Sequence, residues 1–129
     1  MKLDHVGIAV SNLMQAIADY RKLGFSVSEP EAQPEQGVTV AFVALDNTTI
    51  ELLEPLGEKS PIRNFLAKRG PGVHHLALGV QNIEQCLHQL DHASIPLIDK
   101  KSRPGAHEKQ VAFLHPAATS SKVLIELCE

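Results

Sequence analysis

The chain repeats itself. The stretch LDHVGIAVSNLMQAIADY, Leu3 to Tyr20, lies over VHHLALGVQNIEQCLHQL, Val73 to Leu90, at one constant displacement. His5 falls on His75, Val10 on Val80, Asn12 on Asn82, Leu13 on Ile83 and Ile17 on Leu87. Further on, VAFV (Val40 to Val43) matches VAFL (Val111 to Leu114), and IELLE (Ile50 to Glu54) matches IELCE (Ile125 to Glu129). The last match is displaced a little further, so the second copy has a longer hairpin loop. Order, spacing and residue type agree together, which chance similarity rarely achieves. Neither half alone buries enough surface to be stable, so the halves are expected to pack together.

Each copy reads as β-α-β-β-β. Val6, Ile8 and Val10 alternate with His5, Gly7 and Ala9, the period of a strand. Asn12 and Asn82 stand where a helix needs an N-cap, and Leu13, Ala16, Ile17 and Tyr20 follow at helical spacing, with Gly24 as the stop. Ile83, Cys86, Leu87 and Leu90 repeat that stripe. FSVSEP is the next strand, and VTVAFVAL and TTIELLEP form a hairpin across Asp46-Asn47; PLID, KQVAFLHP and KVLIELCE take the same places in the second copy. Between the copies, Ser60, Pro61 and Gly70 frame a linker helix. The expected fold is α+β: two tandem βαβββ modules making a curved, cup-like mixed sheet around a metal site. It forms one domain over 1–129, with module one at about 1–55, the linker helix at about 60–70 and module two at about 72–129.

Composition excludes several classes of function. The 129 residues suit one domain, and a net charge of -3 with no long Lys/Arg block leaves no footprint for nucleic acid or for a membrane surface. No apolar run is long enough to span a bilayer, and no signal peptide is visible. Cys86 and Cys128 form no C-x-x-C pair and read as buried thiols in a reducing compartment, so a cytoplasmic location is expected.

The alternation sorts the polar residues. His5 shares a face with Gly7 and Ala9, and His75 with Ala77 and Gly79. The opposite faces carry Val and Leu large enough to pack on helices. The small residues leave an open surface beside each histidine, as a ligand-binding face requires. Glu51 and Glu126 sit inside strands too apolar to hold a carboxylate without cause. Alone, His5 reads as an ordinary hydrogen-bonded histidine, and either glutamate as the solvent side of an edge strand. The repeat relates them as two pairs. Two imidazoles and two carboxylates suit one divalent ion per chain, of the Co²⁺, Mn²⁺, Fe²⁺, Ni²⁺ or Zn²⁺ type, provided the copies face each other across a pseudo-twofold axis. His74 is expected to point away from His75, His88 and His92 to be solvated, and His107 and His115 to lie in loops near the mouth.

With these residues in place, the chain resembles the vicinal oxygen chelate superfamily (glyoxalase, bleomycin resistance, dioxygenase) and, within it, the methylmalonyl-CoA epimerases. DHVGIAV, PEQGV, IELLEP, SPIRNFLAKRG, GVHHLALGV, RPGAH, AFLHP and VLIELCE look like epimerase segments in epimerase order, over nearly the whole chain. The resemblance implies a metal held by His5, Glu51, His75 and Glu126. It also implies interconversion of (2R)- and (2S)-methylmalonyl-CoA by removal of the C2 proton and stabilisation of the enolate. Glu126 and Glu51 are the candidate acid/base groups. Some epimerases carry a second glutamate after PEQG; the aligned residue here is Val40, which transfers no proton. An acyl-CoA thioester is the implied substrate and a homodimer the implied assembly. Lys100, Lys101 and Arg103, with Lys109 and His107, are candidates for substrate contacts. Two competing readings share the fold: a glyoxalase I-like lactoylglutathione lyase, and a metal-free drug-sequestering protein. PEQGV and RPGAH speak for the epimerase over the first, and the two His-Glu pairs speak against the second.

Overall fold

The computed structural model describes residues 1–129. Nine strands and three helices follow in the order β1 (Lys2–Ala9), α1 (Leu13–Lys22), β2 (Ser26–Val27), β3 (Glu31–Gln33), β4 (Val38–Ala44), β5 (Thr49–Pro55), α2 (Pro61–Arg69), β6 (Gly72–Gly79), α3 (Ile83–His92), β7 (Arg103–Pro104), β8 (Gln110–Leu114) and β9 (Leu124–Cys128). The chain divides into two compact units, residues 5–74 and residues 1–4 with 75–129. The fold is the expected mixture of α and β, with parallel and antiparallel pairing in each repeat.

In residues 5–74 the strand order is β2-β4-β5-β1, with β3 also on β4. β1 and β5, the first and last strands of the repeat, run parallel with Gly7 opposite Glu51. β4 runs antiparallel to β5 with Phe42 opposite Glu51. The second unit repeats this as β6-β9-β8-β7. Ala77 stands opposite Glu126 in the parallel pair, and Phe113 opposite Glu126 in the antiparallel one.

The helices explain why the faces are fixed. Asn12 Oδ1 accepts from Gln15 N at 3.0 Å, and Asn82 Oδ1 from Gln85 N at 3.0 Å, so both expected caps form. Leu13, Ala16 and Ile17 of α1 then bury against Ala41, Val43 and Leu52. Ile83 and Leu87 of α3 bury against Ala112, Leu114 and Leu127. Those clusters take one side of each sheet segment, which leaves the histidines and glutamates on the other.

That other side is less open than the small residues suggest. Ala9 is fully buried with Val38, Val40 and Leu53 beneath Ile62 of α2, and Phe65 and Leu66 extend the cluster. Ala77 is fully buried beside Val111 and Cys128. Gly and Ala here make room for packing at one end of the face, and the polar pairs hold the rest.

Two elements differ from expectation. FSVSEP yields only the short β2, and a separate strand, β3, follows Pro30. PLID forms no strand; Leu97 makes one isolated bridge to Leu114. Pro96 has no amide to give a ladder. Ile98 N and Asp99 N both donate to Phe113 O, at 3.0 and 3.1 Å, so the segment turns instead of running on. No helix is long and apolar enough to cross a membrane.

The repeat also shows where one copy is strained. Gly24, just past α1, has φ +96, a conformation that costs an L-residue; its counterpart Ser94 adopts φ +60 after α3. Gly24→Ala is therefore expected to destabilise by about 1–2 kcal/mol and Ser94→Gly to stabilise by about 0.5–1 kcal/mol. Urea midpoints of the two variants check both signs.

Candidate functional site

The parallel registers place each glutamate one diagonal step from a histidine on the same face. His5 Nε2 lies 3.2 Å from Glu51 Oε2. His75 Nε2 lies 3.1 Å from Glu126 Oε2. His5, His75 and Glu126 are only 7%, 6% and 7% exposed, and Glu51 is half-buried. Each carboxylate has a small residue opposite it on one neighbouring strand, Gly7 or Ala77, and a phenylalanine on the other, Phe42 or Phe113. The glutamates are thus turned inward onto imidazoles, not outward from an edge.

The pair geometry fits metal ligation. Two donors that each lie about 2.1 Å from a common ion, at a right angle, stand about 3 Å apart. Both His-Glu pairs have that separation. A neutral imidazole nitrogen and a carboxylate oxygen are the donor types that borderline divalent ions accept, and burial beside Phe removes competing water. The alternative partner for each buried carboxylate is a protonated imidazole. In either case the pair concentrates charge at one place on the sheet.

The other sequence candidates fall elsewhere. His74 points away from His75, with its ring edge-on to Phe65 at 5.0 Å. His88 and His92 are exposed on α3, with their rings tilted at 48° and 4.5 Å apart. His115 Nδ1 accepts from Ala117 N at 3.0 Å and so caps a turn. His107 lies in the turn Ala106–Glu108 with φ +55. Lys100 Nζ is 3.4 Å from Asp91, and Lys109 Nζ makes 2.9 and 3.0 Å bonds to Asp4. Glu84 has its pKa lowered by hydrogen bonds from Ser102 and, less, by Lys101. Arg103 Nε lies 3.4 Å from Asp99, and its guanidinium carbon 5.4 Å from the Phe113 ring centre.

Phe42, Phe113 and Asp99 were not singled out as functional from the sequence. The signal for the phenylalanines was there, since the matched VAFV and VAFL put each Phe in a strand beside a glutamate. Asp99 had no periodic pattern to mark it.

Cys128 lies two residues past Glu126 and is 2% exposed. Burial, helped by the negative charges of Asp4 and Glu126, pushes its thiol up to about 12. The folded-state value is raised, so its contribution to stability is complete below about pH 9 and is lost as pH rises toward 12. At pH 8 the thiol is therefore expected to be inert. In native Cys86→Ser protein, DTNB should find no fast-reacting thiol, and unfolding in guanidinium should release one.

Fold and donor geometry together define the class. The chain belongs to the Glyoxalase/Bleomycin resistance protein/Dioxygenase superfamily, whose family model matches residues 4–113. Within it, the chain is 47% identical to the mitochondrial methylmalonyl-CoA epimerase of Dictyostelium discoideum, across 99% of its own length and 78% of that protein. It is 46% identical to the ethylmalonyl-CoA/methylmalonyl-CoA epimerase of Cereibacter sphaeroides, across 89% of its length and 88% of that protein. A solved structure of a Streptomyces coelicolor methylmalonyl-CoA epimerase variant in complex with 2-nitronate-propionyl-CoA matches with a TM-score of 0.91 at 32% identity. It covers 99% of this chain and 93% of that one.

Proposed function

We propose that this protein is an isomerase that interconverts (2R)- and (2S)-methylmalonyl-CoA, with one divalent metal ion per chain held by His5, Glu51, His75 and Glu126. The observation that carries the reading is the repeated His-Glu pair at ligand spacing, in a chain so similar to epimerases of this substrate. When bound, the ion supplies positive charge to the thioester and carboxylate oxygens that gain electron density as C2 loses its proton.

The chain's own residues do the rest. His5 and His75 offer Nε2, and each glutamate turns Oε2 toward it. Glu126 and Glu51 are the groups proposed for proton transfer. One glutamate takes the C2 proton and the other returns a proton from the opposite side, which inverts the centre. Glu126 is the deeper of the two and Glu51 the more accessible, so they meet solvent differently. Val40, aligned with the glutamate used by some epimerases, is fully buried in the core under α2 and offers neither proton nor space.

Lys100 and Lys101, which are exposed, and His107, in its turn, are proposed contacts for the CoA portion. A homodimer in the cytoplasm, where Cys86 and Cys128 stay free, completes the reading. Light scattering of the purified protein tests the assembly.

The test of function is metal content measured together with deuterium exchange at C2 of methylmalonyl-CoA. Wild-type protein should hold one ion per chain and exchange; chelation should abolish exchange, and Co²⁺ or Mn²⁺ should restore it. Glu126→Gln should lower kcat by about 10²–10⁴-fold. Metal-loaded protein that exchanges no C2 proton overturns the proposal.

A further inference from the structure

The two phenylalanines that face the glutamates are held alike but not identically. In residues 5–74, Phe42 N donates to Ser28 Oγ at 2.8 Å, and Phe42 O accepts from Ser28 N at 2.9 Å. In the other unit, Phe113 N donates to Asp99 Oδ2 at 2.9 Å, and Phe113 O accepts from Asp99 N at 3.1 Å. The same backbone clasp carries a neutral hydroxyl in one repeat and a carboxylate in the other. The hydroxyl shows that holding the strand needs no charge.

The carboxylate brings a cation with it. Arg103 Nε lies 3.4 Å from both Asp99 oxygens, and its guanidinium carbon lies 5.4 Å from the Phe113 ring centre. Arg103 pairs with Val111, on the face shared by Phe113 and Glu126. The same ring meets His75 edge-on, at 5.9 Å and 80°. A guanidinium therefore stands one aromatic ring away from the His75-Glu126 pair. Asp99 holds its Nε, and the Phe113 ring lies beside its guanidinium carbon. The side chain keeps 44% of its surface open, and its terminal nitrogens are left for a ligand. An oriented fork of this kind is suited to a carboxylate or phosphate oxygen.

We infer that Arg103 binds an anionic oxygen of the substrate and thereby selects acyl-CoA thioesters that carry a second carboxylate. The inference rests on the function proposed above. With an ion bound, a substrate carboxylate would meet the negative charge of the glutamates as well as the ion, and Arg103 would add a second cation to offset it. CoA phosphates are the other anionic source, but a whole pantetheine arm separates them from C2. The ring contact to His75 favours the carboxylate.

Isothermal titration of metal-loaded protein with malonyl-CoA and with propionyl-CoA separates the sources, since only the first has the carboxylate and both have the phosphates. Arg103→Met should weaken malonyl-CoA about ten- to hundredfold and leave propionyl-CoA within about twofold. Arg103→Lys should recover part of the loss. Metal content and circular dichroism of the variants control for the fold. Equal weakening of both ligands would move the contact to the phosphates and overturn the selectivity. Unchanged affinity for both would overturn the inference altogether. Wild-type protein that prefers malonyl-CoA but exchanges no C2 proton would sink the proposed function and leave the Arg103 contact standing.

Discussion

A carboxylate held against an imidazole inside a sheet is the interaction on which the rest of this structure depends. A buried glutamate is costly without a partner, and each repeat provides one by running its last strand parallel to its first. The register then has no freedom. A slip of one residue would turn Glu51 into the α1 cluster and Leu52 onto His5, and would do the same to Glu126 and Leu127 against α3. Helix packing on one side and the His-Glu contacts on the other therefore specify the same register.

The inner faces show how one surface can be both core and site. In residues 5–74, α2 closes over Ala9, Val38, Val40 and Leu53, and His5 and Glu51 occupy the neighbouring turns of the same strands. The boundary falls within single strands: Glu51 is polar and Leu53, two residues on, is core. On the proposed reading, proton chemistry on these strands would fall to the glutamates, since the core positions Val40 and Leu53 beside Glu51 are sealed by hydrocarbon.

Much of this was legible in the sequence because it is periodic. The repeat, the strand alternation, the Asn12 and Asn82 caps and the two His-Glu pairs all follow from spacing alone. What escaped depends on contacts that spacing does not record. Ala9 and Ala77 looked like the floor of an open cleft, because nothing local says that α2 packs over one and Val111 beside the other. PLID looked like a strand from its apolar content, yet Pro96 and the doubly used Phe113 carbonyl bend it away. Arg103 read as one of several basic residues on a loop. Only the fold separates it from Lys100 and Lys109, which are matched with Asp91 and Asp4 in ordinary pairs, and sets it on a ring beside His75.

The parallel pairing of first and last strands has a consequence for how the molecule is assembled. His5 and Glu51, like His75 and Glu126, are separated in the chain by a helix and the intervening strands of their repeat. These contacts join the two ends of each repeat, so closing them carries a large loop-closure cost. A hairpin or an isolated helix does not contain both donors of a pair, which lie on the first and last strands of each repeat. Ion capture by this chain would therefore act as a checkpoint on completed folding, with chains whose repeats have not closed offering only scattered, weak donors.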